Sequence, residues 1–116
     1  MRAAVLVVFL AAPAAHGVTA AAQEFIALLR EHQPVYCEKL RLRRAMALAK
    51  AEGREADYRA GEQRFAELDR DPATAKREQR LAELERRIAD GRGGTRDPQD
   101  LDAISFERRK AFYSCD

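Results

Sequence analysis

The sequence has no tryptophan, two cysteines, four prolines, six glycines and two histidines. Each shortage excludes a class of chemistry. Past Ala22 the only histidine is His32, and a zinc site needs several Cys, His or acidic ligands in tetrahedral array. The serines are Ser105 and Ser114, with no Gly-x-Ser-x-Gly elbow. The Gly91–Gly94 stretch lacks the Gly-Lys-Ser/Thr ending of a phosphate loop. No β-branched residue occurs from Cys37 to Asp71, which argues against strands there. Charge of one sign is also missing. Lys and Arg number 21 against 19 acids, so no broad positive field points to nucleic acid.

The one uninterrupted apolar run is Ala3–Ala12, preceded by Met1-Arg2 and broken by Pro13. Small residues follow through Ala22. This is the layout of a secretory leader, and the run is shorter than the ~20 residues that span a bilayer. We expect a cleaved segment over 1–22 and a single domain over 23–116, placed in the periplasm or secreted. Three small-residue triplets are candidate cleavage sites: Ala12-Pro13-Ala14, Val18-Thr19-Ala20 and Ala20-Ala21-Ala22. Over 23–116, Leu, Ile, Val and Phe supply 17 of 94 positions, about 18%. That is under the ~20% at which disorder becomes a concern, but the high net charge of a disordered chain is absent. A core this thin needs help from a disulfide, a partner or self-association. In an exported chain, Cys37 and Cys115 allow one intramolecular bridge. Closing the long loop between them contributes on the order of 4.5 kcal/mol. A free thiol pair and an intermolecular bridge are the alternatives.

The fold class expected is all-α: a small disulfide-stapled helical hairpin, or an up-down bundle of three to four main helices. Gln23–Gln33 reads as a short helix with Phe25, Ile26, Leu28, Leu29 and His32 on one face. Pro34 is expected to end or kink it. From Pro34 to Arg70 strong helix formers dominate, and Gly53 is expected to be tolerated within one long helix. Asp71-Pro72 signals a restart, an N-cap acceptor before a proline at the first helical position. The next helix carries Leu81, Leu84 and Ile88 and stops at Gly91. Asp97-Pro98 repeats the signal for a last helix on which Leu101, Ile104, Ala111 and Cys115 share a face, with Phe112 beside them.

Asp71-Pro72 suggests an antiparallel hairpin that sets Gly61 across from Leu81, Tyr58 across from Leu84 and Arg54 near Ile88. A Cys37–Cys115 bridge then requires either that the last helix continues in the returning direction, or that a break at Gly53 gives four similar helices running up-down-up-down. Tyr36, Phe106, Phe112 and Tyr113 lie close in sequence to one or other cysteine, so the bridge is expected at an aromatic, best-packed end. The segments 61–70 and 77–86 match at seven of ten positions. Duplication and convergence on a narrow alphabet explain this equally well, and two copies do not make a solenoid.

The pattern contains no constellation for catalysis, and neither an enzymatic activity nor a cofactor is expected. His32 with a free Cys37 is the one formal nucleophile pair. The local charge excess Lys39-Arg41-Arg43-Arg44 forms a collar around a helix, able to touch an acidic partner or anionic lipid. The function expected is that of a protein-binding, chaperone- or adaptor-like module of the bacterial envelope, with Leu40, Arg41, Arg43, Arg44 and Leu48 as the partner contact. A structural subunit of an envelope assembly or a homodimer is the second expectation.

Overall fold

The structure, a computed structural model, describes residues 17–90 and 97–115. The apolar run Ala3–Ala12, the first cleavage triplet and the Gly91–Arg96 loop lie outside the described residues. Among the described residues the chain forms four helices and no strand: α1 (Ala20–Ala51), α2 (Glu55–Arg70), α3 (Pro72–Asp90) and α4 (Pro98–Tyr113). The chain is a small all-α bundle stapled by the Cys37–Cys115 disulfide.

α1 starts where Thr19 caps it, the Thr19 Oγ1 accepting from the Ala22 backbone N–H. It then runs unbroken to Ala51, straight through Pro34. The helix therefore does not end at Pro34, as one of the two expectations had it. A proline inside a helix forfeits one backbone hydrogen bond, to the carbonyl four residues back. Pro34 sits on the exposed face of α1, where water can serve the freed carbonyl. Buried residues on either side of it, Phe25, Leu29 and Lys39, hold the helix from the inner face.

The expected passage of a helix through Gly53 is also overturned. α1 ends at Ala51. Gly53 turns the chain with a positive φ, in the left-handed region that suits glycine. α2 then runs back along α1. The Gly61 backbone lies so close to Met46 that a Cβ there would stand 2.5 Å from the Met46 Cγ. Gly61 thus faces Met46 in α1, not Leu81.

The expected α2–α3 hairpin does not form. At Asp71 the backbone is extended for one residue, with φ −63° and ψ 119°. Its carboxylate accepts from the Thr74 N–H and hydroxyl and caps α3. One extended residue bends the rod without reversing it, so α2 and α3 descend in succession along α1. An ion-pair ladder records this register. Glu24, Glu31 and Glu38 recur at heptad spacing on one edge of α1. They meet Arg80 at 2.8 Å, Arg77 at 3.3 Å and Arg64 at 2.6 Å, in reverse chain order. Arg54 lies at the far turn beside Glu52 and Asp57, remote from Ile88.

α4 runs parallel to α1. Asp100 meets Thr19, Glu107 meets Arg30, Ala111 meets Gln33 and Cys115 meets Cys37, so both helices rise together. Neither expected topology describes this. α1 goes up, α2 and α3 together come down, and α4 goes up beside the first half of α1 only. The molecule has two unlike halves: a three-helix bundle of early α1, α3 and α4, and a two-helix hairpin of late α1 and α2.

The apolar core belongs to the bundle half. Ala22, Phe25, Leu29, Leu81, Leu84, Ile88, Ile104 and Ala111 form it, with Leu28, Tyr36 and Leu101 at its margin. The stripe expected for α3 is buried in full. The aromatic, best-packed end expected at the bridge does not exist. Phe106, Phe112 and Tyr113 are exposed, and of the aromatics named near the cysteines only Tyr36 joins the core margin. They fall on the outer side of α4 because its inner stripe is Ile104 and Ala111.

Candidate functional site

Three features meet at one level, half-way along α1. The first is the bridge, with Cα atoms 5.3 Å apart. Beside it the Gln33 side-chain amide donates to the Ala111 carbonyl at 3.0 Å. The Arg30 guanidinium reaches Glu107 at 2.8 Å. The second is the bend between α2 and α3. The third is Lys39, only 6% exposed. Its ammonium donates to Asp69 of α2 at 2.5 Å and to Glu78 of α3 at 2.5 Å. It also lies 4.9 Å from the Phe65 ring centroid, a cation–π contact. One ammonium thus ties both descending helices to α1 across the bend.

His32 lies two turns below, buried, its Nε2 3.4 Å from the same Glu78 carboxylate. Burial is the main reason its pKa falls below the usual histidine range. Glu78 opposes that shift, and Arg77 and Lys39 add to it. Among the described residues its Nδ1 has no hydrogen-bond partner, nor does Nε of Arg77. For Lys39, burial favours the neutral amine, but Asp69 and Glu78 outweigh it and raise the pKa above that of an ordinary lysine. The cluster resembles a charged interior site, yet its cation is a lysine. No group of three or more His, Cys, Asp or Glu among the described residues is arranged to hold a metal ion. Both cysteines are spent in the bridge, so no Cys37 thiolate faces His32. A disulfide fits a non-cytoplasmic location.

Above this waist the surface changes. The structure places Leu40 half-buried and Arg41, Arg43, Arg44 and Leu48 exposed on the hairpin half of α1, with Leu48 at 55% exposure. The basic residues do point in several directions. Lys39 turns inward. Arg43 lies over Phe65 at 5.1 Å and Arg44 over Phe112 at 5.5 Å. Arg41, Arg43 and Arg44 have no carboxylate partner among the described residues, like Arg59, Arg70, Arg86, Arg87 and Arg109, whereas Arg30, Arg64, Arg77 and Arg80 are paired. Among the described residues α1 meets one partner helix in the hairpin half, α2, whereas it meets both α3 and α4 in the bundle half. Continuing the helix spacing of Arg30, Gln33 and Cys37, which meet α4, the next positions on that side of α1 are Leu40, Arg44, Ala47 and Ala51, with Leu48 beside them. α4 stops at its threshold, where Phe112 and the 80%-exposed Tyr113 pack edge to face at 5.1 Å.

Chemically, this surface can hold a helix and can neutralise carboxylates. An open groove between α1 and α3 is lined by the charged ladder residues Glu24, Glu31, Arg77 and Arg80 with Leu28. None of the described helices is long and apolar enough to cross a membrane.

Sequence reasoning missed the inward turn of Lys39, although a signal was present. Phe25, His32, Lys39 and Met46 recur at heptad intervals, the spacing of one helix face. Breaking the helix at Pro34 hides that continuity. Similarity to known proteins adds nothing to these residues: no protein-family model matches the chain, and neither a curated protein nor a solved structure does.

Proposed function

We propose that this protein is a non-enzymatic, exported binding module of the bacterial envelope that docks a partner protein on its hairpin half, in the manner of an adaptor or chaperone. One observation carries the reading. Three helices pack together below the waist and two above it, and the uncovered side of late α1 carries Leu48 with arginines that no carboxylate among the described residues satisfies. Docking surfaces combine exposed apolar groups with a charged rim. The disulfide and the leader-like run Ala3–Ala12 support periplasmic or secreted placement.

Site-specific photocrosslinking in intact envelopes tests it. A photoreactive residue at position 48 is expected to give one discrete adduct. The same residue at position 83, exposed on α3 in the bundle half, is expected to give none. The position-48 adduct should fade when Arg41 and Arg44 are both changed to Glu. Equal labelling from both positions, or no adduct from 48, would refute the assignment. Light scattering after size exclusion identifies the alternative occupant, a second copy of the chain.

A further inference from the structure

The two halves of the molecule share a repeat that tells what chemistry the uncovered side is built to receive. The segments 61–70 and 77–86 match at seven of ten positions, offset by sixteen. In the structure both segments dock on α1 in the same way. Arg64 forks between Glu67, three positions on, and Glu38 of α1. Arg80 forks between Glu83, three positions on, and Glu24 of α1. Glu24 and Glu38 are fourteen positions apart. The two surplus positions on the descending side are taken up at the Asp71 bend. α2 therefore sits on late α1 as α3 sits on early α1, displaced by two heptads of α1.

That correspondence extends to the third helix. In the bundle half α4 fills the seat beside α1 and α3 with its apolar stripe. It also places two neighbouring charges: Glu107 on Arg30 of α1 at 2.8 Å, and Arg108 on Glu85 of α3. Two heptads on from Arg30 stands Arg44, with no carboxylate partner among the described residues. Sixteen positions before Glu85 stands Asp69, its side chain still 51% exposed although it accepts from Lys39. On the descending side Phe65 takes the place of Leu81 and Leu68 that of Leu84, whereas on α1 Tyr36, Lys39 and Arg43 stand where Ala22, Phe25 and Leu29 floor the lower seat. The upper seat thus repeats the edge charges of the lower one over a more polar floor, and none of the four described helices fills it.

Resting on the protein-binding reading above, we propose that the hairpin half receives an amphipathic helix of a partner with α4's own chemistry: an apolar stripe with an acidic residue directed at Arg44 and an adjacent basic residue directed at Asp69. The incoming helix lies end to end with α4, beyond Phe112. The ion pairs fix its register and select it, while apolar contact with Leu40, Ala47, Leu48 and Phe65 supplies the remainder.

The chain's α4 provides the probe. A fluorescein-labelled peptide of residues 104–113, the part of α4 that fits beyond Phe112 with Glu107 at Arg44, is capped at both ends and titrated with the full disulfide-bridged protein, whose own α4 stays tethered by Cys115. Saturable binding with Kd below about 1 mM is expected. Arg44→Glu should weaken it at least tenfold, and a peptide carrying Glu107→Arg should recover binding to that variant. Circular dichroism confirms that the Arg44→Glu protein is folded, since Arg44 is exposed and makes no ion pair among the described residues. Two results overturn the partner chemistry and leave the docking reading in place: binding indifferent to Arg44, and binding of the Glu107→Arg peptide to the wild-type protein as tight as that of the original. If affinity instead follows an Arg30→Glu change, the peptide is displacing α4 from its own seat and the upper seat is refuted. No binding of either peptide refutes both the chemistry and the use of this surface for a helix.

Discussion

Lys39 is the residue on which the architecture can be tested most directly. Its side chain holds α1, α2 and α3 together, and the Lys39→Met substitution removes its charge while keeping most of its stem. Full burial of all three charges would make the loss about 3–5 kcal/mol, the cost of stranding a buried ion. Fully exposed pairs would make it about 0.2–1 kcal/mol. Here the lysine is 8% exposed at its side chain, but Asp69 is 51% and Glu78 35% exposed. Water can therefore attend to both carboxylates once the ammonium is gone, and removing the lysine also relieves its own desolvation. We expect a net loss of about 2 kcal/mol, measured by urea unfolding with the disulfide intact at pH 7.5.

The control is the triple variant Lys39→Met, Asp69→Asn, Glu78→Gln. It abolishes the attraction together with the repulsion left behind, and should recover at least half of the loss, because removing all charged members of such a site costs less than removing one. Native-state hydrogen exchange supplies the spatial part of the test. In Lys39→Met the amides of α2 should lose protection before those of α3. The reason is that α3 keeps its apolar core and α2 buries little besides Leu68. A single substitution within about 0.5 kcal/mol of wild type, or equal loss of protection in both helices, would refute the role assigned to this lysine.

Other consequences are open to the same kind of measurement. Reducing the bridge, or replacing both cysteines by serine, releases the long loop between Cys37 and Cys115 and should cost up to about 4.5 kcal/mol, enough to leave the domain largely unfolded in thermal melts. Gly53→Ala should cost about 1 kcal/mol from the left-handed backbone alone, since the added Cβ meets no neighbouring atom, and in urea titrations Gly53→Asn should cost less. His32 has a folded-state pKa below its ordinary value, so the unfolded chain takes up its proton first. Its stability contribution is full above about pH 6.5 and is lost as pH falls through the lowered value, and His32→Gln should flatten the stability profile below about pH 6.5. A chain begun at Gln23 loses the Thr19 cap and the Thr19 N–H and hydroxyl donors to the buried Asp100. It should melt about 10 °C below one begun at Ala15.

What the sequence discloses and what it withholds follow a physical division. Helix identity is legible wherever caps and periodicity agree: Asp97-Pro98 opens α4, and Leu81, Leu84 and Ile88 mark the inner face of α3. Cysteine arithmetic finds the bridge. Direction is not legible, because a start signal such as Asp71-Pro72 states that a helix begins and is silent on where it points. One extended residue produces a bend, and long-range contacts decide between bend and reversal: Leu81, Leu84 and Ile88 share a core with Phe25 and Leu29, and Arg64 and Arg80 reach carboxylates of α1 in turn. The two breakers mislead for opposite reasons. The intrinsic cost of Pro34 argues for a break, and nothing local reveals that its face is solvent. The low cost of one glycine argues for continuity at Gly53, and nothing local reveals that a left-handed turn there is what lets α2 return. For the candidate surface, the basic collar is visible, but not that Lys39 leaves it for the interior.

The repeat gains its meaning from that same correction. As long as the segments 61–70 and 77–86 are taken to face each other across a hairpin, their likeness is a curiosity of composition. Once both are laid successively along α1, the likeness becomes two equivalent seats on one long helix. Arginine forks at the same positions in each, and α4 fills only the lower seat. A merely stable bundle gains nothing from extending α1 and α2 beyond the bridge, where little apolar surface is buried. The hairpin half keeps Lys39 and the ladder to hold its two helices in register. It leaves Arg44 without a carboxylate, among the described residues, at the position where Arg30 has one below. An unpaired arginine alone does not set the hairpin half apart, since Arg86, Arg87 and Arg109 also lack carboxylate partners among the described residues; the proposed docking surface stands or falls on the comparison of Arg44 with Arg30 at the equivalent place.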